Sequence, residues 1–199
     1  VARAGRPTAA PVRRPPTETT RAGIEAGAPA SVAEALPNPE VTAWVGIGGN
    51  LGDARATVVA ALAALATLPG CRPLAVSSLY RSAPVDAGGP DFVNAVAALA
   101  TRLSPEALLV ALQRIEADFG RQRPFHNAPR TLDLDLLLHG DVRCHTPTLT
   151  LPHPRLHQRA FVLQPMLEIN PALAVPGLGP LADRLAATAD QRIERLPSP

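Results

Sequence analysis

VTAWVGIGGNLGDARATVVAALAALATL, residues 41–68, decides the fold. A β-favouring run at 41–47 meets Gly46, Gly48, Gly49 and Gly52 around Asn50, which end it in a tight turn. Asp53 stands where a helix cap belongs, and the stretch at 54–68 that follows places Val58, Leu62 and Leu65 on one face. The stretch therefore reads as strand, turn and helix. The same grammar returns downstream: residues 91–101 read as a strand, Ser104 and Pro105 as a helix start, and Leu108, Leu112, Ile115 and Phe119 as an apolar stripe that Gly120 stops. Residues 72–81 supply a strand between the two halves, closed by a loop holding Pro84, Gly88, Gly89 and Pro90; residues 132–138 supply another after a polar loop at 121–130. The order βαββαβ predicts a ferredoxin-like α+β fold, an antiparallel sheet with both helices on one face and the opposite face available. Residues 155–169 and 181–189 read as added C-terminal helices.

Residues 1–40 differ from the rest. Pro, Ala, Thr, Arg and Glu dominate, so little surface could be buried against chain entropy, and a disordered extension ahead of a domain at 41–199 is expected. All 19 basic side chains of the 199-residue chain are arginines. Without a lysine there is no Schiff-base lysine, no phosphate-loop lysine and no protein-kinase strand lysine, so phosphate chemistry must run on arginine, histidine and metal. A formal charge of +2 is too small a surplus for a general nucleic-acid or membrane binder, and small-molecule partners fit better. Cys71 and Cys144 have no CxxC spacing, no apolar leader precedes them, and the most apolar stretch, 56–68, falls short of a membrane span. A cytoplasmic protein, monomeric and with reduced thiols, is the expectation.

The chemistry concentrates at Arg130-Thr131-Leu132-Asp133-Leu134-Asp135-Leu136. Alternation along a strand puts Asp133 and Asp135 on one face, roughly 6 to 7 Å apart. Two carboxylates that close repel unless cations lie between them, and their oxygens suit one or two Mg²⁺ that would hold a triphosphate; taken alone, the pattern equally fits a half-exposed strand whose acids face water. Arg121, Arg123 and Arg130 bracket the polar loop beside it, together with His126, and guanidinium forks on such a loop could close over a bound nucleotide. The run from His153 through Arg159 to Phe161 adds cationic groups at a helix start. Phe92 and Asn94 share a strand face, an aromatic platform beside a carboxamide that suits a planar heterocycle. The GIGGNL turn at 46–51 lacks the third glycine and the distal acid of a dinucleotide fingerprint, and Cys144-His145 has no zinc-ligand spacing.

In order along the chain, VGIGGNLGD (45–53), SSLYRSAPV (77–85), PDFVNAVAAL (90–99), QRIEADFGRQR (113–123), NAPRTLDLDLLL (127–138) and LPHPRLHQRAFVLQPMLEI (151–169) resemble the motifs of the 6-hydroxymethyl-7,8-dihydropterin pyrophosphokinase family of folate biosynthesis. The resemblance implies the ferredoxin-like fold, and transfer of the β,γ-diphosphate of ATP to the hydroxymethyl oxygen of the pterin with release of AMP. It implies that Asp133 and Asp135 hold two Mg²⁺, that Arg121, Arg123, Arg130, His153 and Arg159 contact the triphosphate, and that Gln113 and Glu116 lie near the nucleotide. By the same resemblance Phe92 and Phe161 sandwich the pterin, Asn94 and Ser82 read its polar edge with main chain around Ala83 and Val85, and Gly48 allows close approach. The chain departs from better-known members at 124–128, where an Arg-Trp pair and one residue are missing, and at Thr148, where some members carry arginine. Rival readings are another metal-dependent transferase on the same fold, or a noncatalytic RNA-binding module.

Overall fold

A computed structural model describes residues 38–84, 89–120 and 131–197, all within one compact unit, Leu36–Pro199. The extension expected at 1–40 lies outside the described residues up to position 37, as do Val85, His126 and the arginines Arg121, Arg123 and Arg130 with the loop expected to close over nucleotide. Asn38 and Glu40, assigned to the extension from sequence, instead bond to the domain: Asn38 donates to the Arg102 carbonyl at 3.3 Å, and Glu40 lies 3.3 Å from the Arg72 guanidinium.

Strand β1 (Val41–Gly49) leads into helix α1 (Ala54–Ala66), which Asp53 caps by accepting from the Ala56 amide at 2.9 Å. The helix buries Val58, Ala61 and Leu65, with Leu62 half-buried beside them. Strands β2 (Cys71–Val76) and β3 (Tyr80–Ser82) precede β4 (Phe92–Thr101). Helix α2 (Pro105–Asp118) follows, capped by Ser104 through the Ala107 amide at 3.2 Å and closed by Gly120 at φ 73°. Strand β5 (Asp133–His139) completes the βαββαβ core. The sheet is antiparallel: β1 lies between β4 and β5, β2 and β3 both pair with β4, and β5 forms one edge. Inward residues of β1, β4 and β5, among them Val45, Ile47, Ala97, Leu134 and Leu136, pack on α1 and α2 as one core.

The strand expected at 72–81 is in fact two. Ser77 ends β2 by keeping the ladder going with its side chain: its amide donates to the Val96 carbonyl at 2.9 Å and its hydroxyl accepts from the Val96 amide at 3.0 Å. Ser78 then turns outward to Glu168. The opposite sheet face is not wholly available either. After the small hairpin of β6 (Cys144–His145) and β7 (Thr150–Leu151), helix α3 (Ala160–Ile169) lays Val162, Leu163 and Met166 against Trp44, Val96, Ala98 and Leu138, a second core closed by Leu156, Val175 and Leu181. The helix expected at 155–169 is broken at Arg159, whose extended backbone (φ −127°) separates a 3-10 turn, Leu156–Gln158, from α3. The tail contributes the short pair β8 (Ala174–Val175) and β9 (Gly179–Pro180), a 3-10 segment over Leu181–Thr188 where an α-helix was expected, and β10 (Ile193–Arg195), which adds to the sheet outside β3. Among the described residues no helix is long and apolar enough to cross a membrane.

Glu168, near the end of α3, ties these layers. Its carboxylate accepts from the Ser78 amide (2.9 Å) and hydroxyl (2.7 Å) and from the Tyr80 hydroxyl (2.9 Å), and Arg195 of β10 sits 2.9 Å away. Burial would raise the carboxyl, but the Ser78 and Tyr80 hydrogen bonds and the Arg195 charge outweigh it and hold it below its ordinary 4.5; burial and the same carboxylate push Tyr80 up to about 12. A carboxylate favoured in the folded state contributes stability above its unfolded value that is lost as pH falls through the folded one. Glu168→Gln should therefore lower Tm by roughly 2 to 6 °C at pH 7, and the gap from wild type should close as pH drops below 4.5. Melts across pH 3–7 that stay parallel would show the carboxylate's charge is not what holds this junction.

Candidate active site

The site is built where the sheet face beyond α3 runs out of large side chains. Register places Gly48 opposite Asn94 on one side and Asp133 on the other, and Gly46 opposite Asp135. Side chains of β4 and β5 thus face each other across a glycine floor. A Cβ on Gly48 would fall 3.1 Å from Asn94 Oδ1, so glycine keeps the trough open and the carboxamide in place. The turn after β1 is anchored by Asn50, whose Nδ2 donates to the Pro90 carbonyl at 3.1 Å ahead of β4.

On the β4 side, Asn94 is buried and its Nδ2 donates to Ser82 Oγ at 2.9 Å, which leaves Oδ1 turned toward Gly48. Phe92, half-buried, shares this face one pleat away opposite Ser82, and Ala83 follows at the end of β3. On the β5 side, Asp133 and Asp135 are half-buried while Leu132, Leu134 and Leu136 anchor the reverse face in the core, the alternation expected from the sequence. Glu116 reaches the strand from α2: it is buried, and its Oε1 accepts from the Leu134 amide, at 2.9 Å, between the two aspartates. Since β5 is a sheet edge, this carboxylate takes the place a neighbouring strand would occupy. Gln113 is exposed one turn earlier on α2.

The break before α3 delivers the cations. Arg159 Nη1 lies 3.5 Å from Asp135 Oδ2, and its guanidinium stands over the Phe161 ring, 5.5 Å from the centroid. His153 is fixed to the outer edge of β5 by its amide, which donates to the Leu137 carbonyl at 2.9 Å; its Nδ1 accepts from the Arg155 amide at 3.2 Å. Burial lowers the imidazole below its ordinary 6.5, with the Asp135 charge opposing and Arg159 and Arg155 reinforcing. Sequence reasoning missed Gln191. Its Oε1 accepts from the Ala160 amide at 2.8 Å and its Nε2 donates to the Gln158 carbonyl at 2.8 Å, so the C-terminal tail fixes the segment that carries Arg159 and Phe161. No local signal could have found it, because the partners lie 31 and 33 positions apart.

The donor set fits a hard divalent cation. Among the described residues no group of three or more His, Cys, Asp or Glu could hold a metal, so an ion at Asp133 and Asp135 would draw its other ligands from water and from phosphate oxygens, the incomplete protein shell that Mg²⁺ favours. Arg159 beside Asp135 supplies a second cation for the same oxygens. The arrangement can hold a metal–polyphosphate on β5 next to a flat heterocycle on β4.

Residues 44–171 match the model of a family described as 7,8-dihydro-6-hydroxymethylpterin-pyrophosphokinase. The chain is 47% identical over 155 residues to 2-amino-4-hydroxy-6-hydroxymethyldihydropteridine pyrophosphokinase of Pseudomonas aeruginosa, covering 77% of this chain and 96% of that protein. It is 39% identical over 157 residues to the protein of the same name from Haemophilus influenzae, covering 78% and 98%. Among solved structures, Plasmodium falciparum HPPK-DHPS with pterin and p-hydroxybenzoate superposes with a TM-score of 0.60 at 12% identity, over 77% of this chain and 44% of that longer one. At that identity the likeness speaks for the fold alone.

Proposed function

Because the chain belongs to the 7,8-dihydro-6-hydroxymethylpterin-pyrophosphokinase family, we propose the following division of labour among its residues. The enzyme transfers the β,γ-diphosphate of ATP to the hydroxymethyl group of 6-hydroxymethyl-7,8-dihydropterin, giving the pterin diphosphate and AMP in folate biosynthesis. Phe92 and Phe161 stack on the pterin, Asn94 Oδ1 accepts from its ring N–H groups, Ser82 holds Asn94 in that orientation, and main chain around Ala83 and Val85 completes the pocket. Gly48 gives the ring room. Asp133 and Asp135 hold two Mg²⁺, which when bound neutralise the triphosphate and the charge that shifts during transfer. Arg159 and His153 bind the phosphates, joined by Arg121, Arg123 and Arg130, whose forked donors match phosphate oxygens. Gln113 lies toward the nucleotide. Glu116 keeps β5 straight so that both aspartates project together.

The observation that supports this reading most is the cross-strand row from Asn94 over Gly48 to Asp133, which sets the Asn94 carboxamide across a glycine floor from the carboxylate pair. The hydroxymethyl oxygen forms its bond to the β-phosphorus as the bond from that phosphorus to the α,β-bridging oxygen breaks; AMP leaves, and the hydroxyl proton passes to water. Positioning and charge neutralisation supply the catalysis, and no side chain is needed as an obligatory base. Incubation with ATP, Mg²⁺ and the pterin should give AMP, not ADP, and only when the pterin is present. A chain starting at Asn38 should match the full chain within about threefold, under ~1 kcal/mol, because the catalytic unit is proposed to need nothing before that residue. ADP as the product would sink the assignment; loss of most activity in a folded truncation would bring residues 1–37 into the site.

A further inference from the structure

We propose that Gln191 is a positioning residue for both substrates: from the C-terminal tail it clamps the two peptide groups that flank Arg159, so that the guanidinium and the Phe161 ring stand where phosphate and pterin bind. The proposal rests on the roles given above to Arg159 and Phe161, and it adds a role for a residue outside 44–171, the span of the family match.

The start of α3 poses a conflict. A helix leaves its first amides without partners of its own, and the residue before it normally answers with a side-chain oxygen. That position is held by Arg159, whose guanidinium carries donors only and which makes no side-chain cap bond. Gln191 resolves the conflict from 31 positions away, its Oε1 accepting from the Ala160 amide at 2.8 Å. Its Nε2 donates to the Gln158 carbonyl, also at 2.8 Å, on the other side of Arg159. In extended backbone the carbonyl before a residue and the amide after it point the same way, as they would toward a neighbouring strand. In helical backbone they point in opposite directions along the axis, out of reach of one carboxamide. The clamp therefore selects the extended conformation seen at Arg159, φ −127° and ψ 110°, from which its guanidinium reaches Asp135 and the Phe161 ring.

The tail that carries Gln191 is itself anchored. The Gln191 amide donates to the carbonyl of buried Thr188 at 3.0 Å, and the Leu196 amide donates to the Leu79 carbonyl at 2.8 Å with the Leu196 side chain in the first core. Between them Ile193 pairs with Ser82, whose Oγ accepts from Asn94. The short run 191–193 thus touches both proposed walls of the pterin site, Phe161 through the clamp and Asn94 through β3.

Titration calorimetry on the full chain, with the pterin and separately with α,β-methylene ATP and Mg²⁺, tests this without turnover. Gln191→Met keeps the length of the side chain and neither hydrogen bond, so the segment leaves its binding arrangement part of the time and affinity falls with the fraction that stays in it. Each ligand should bind about five- to tenfold more weakly. Gln191→Glu, which keeps the acceptor for the Ala160 amide and loses the donor to Gln158, should lose less. Double variants identify what Gln191 acts through: adding Gln191→Met to Arg159→Ala should cost the ATP analogue almost nothing further while still weakening the pterin, and adding it to Phe161→Ala should do the reverse. Unchanged affinities in a folded Gln191→Met protein would overturn the proposal, as would fully additive losses in both double variants. Should Gln191→Met fail to fold, the same comparisons made with Gln191→Glu decide. Arg159→Ala and Phe161→Ala single variants that bind both ligands like wild type would instead strike the site reading, and this inference with it.

Discussion

Asp133→Asn and Asp135→Asn should each lower turnover in AMP formation by about 10²-fold or more at saturating Mg²⁺, equivalent to ~3 kcal/mol of lost transition-state stabilisation. Asparagine keeps the shape and one oxygen but removes the charge that, on the proposed assignment, attracts the ion and balances the triphosphate. Neither variant should cost much apo stability, because each removes the mutual repulsion of the two carboxylates. Asp135 has Arg159 at 3.5 Å, so its replacement removes a repulsion and an attraction together and Tm should hardly move. Asp133→Asn removes the same repulsion, and its Tm should likewise hardly move. Paired measurements of turnover and apo melting decide the matter: wild-type turnover in both variants rejects the metal-site assignment, and a Tm drop of many degrees makes the pair structural.

Phe92→Ala should weaken pterin binding by roughly 1 to 3 kcal/mol, about five- to 150-fold, by analogy with base stacking on aromatic side chains. ATP binding should change little, because Phe92 stands on β4, on the far side of the glycine floor from the aspartates. Phe161→Ala should behave differently. Its ring lies under the Arg159 guanidinium and is proposed to stack on the pterin, so its removal should weaken both substrates. Calorimetry that finds unaltered pterin affinity in a folded Phe92→Ala protein contradicts the stacking role, and an ATP defect as large as the pterin defect in that variant would place Phe92 elsewhere in the site.

What the chain states locally, the sequence by itself determined. Caps act within a few residues, so Asp53, Ser104 and Gly120 mark their helix ends without reference to the rest of the fold. Alternation along a strand puts Asp133 and Asp135 on one face whatever lies beside them, and the βαββαβ order leaves little choice of sheet. Register between strands was not legible, because pairing is set by packing across long sequence separations. Only the folded sheet sets Gly48 between Asn94 and Asp133 and so makes a trough out of a glycine turn. Only tertiary contact breaks the expected helix at Arg159 to bring its guanidinium to Asp135, caps α3 with Gln191, and splits the second strand where Ser77 satisfies Val96 while Ser78 turns to Glu168. In each case a polar group takes a partner far along the chain. That exchange is favourable only once the two cores have packed and water no longer competes for the bond.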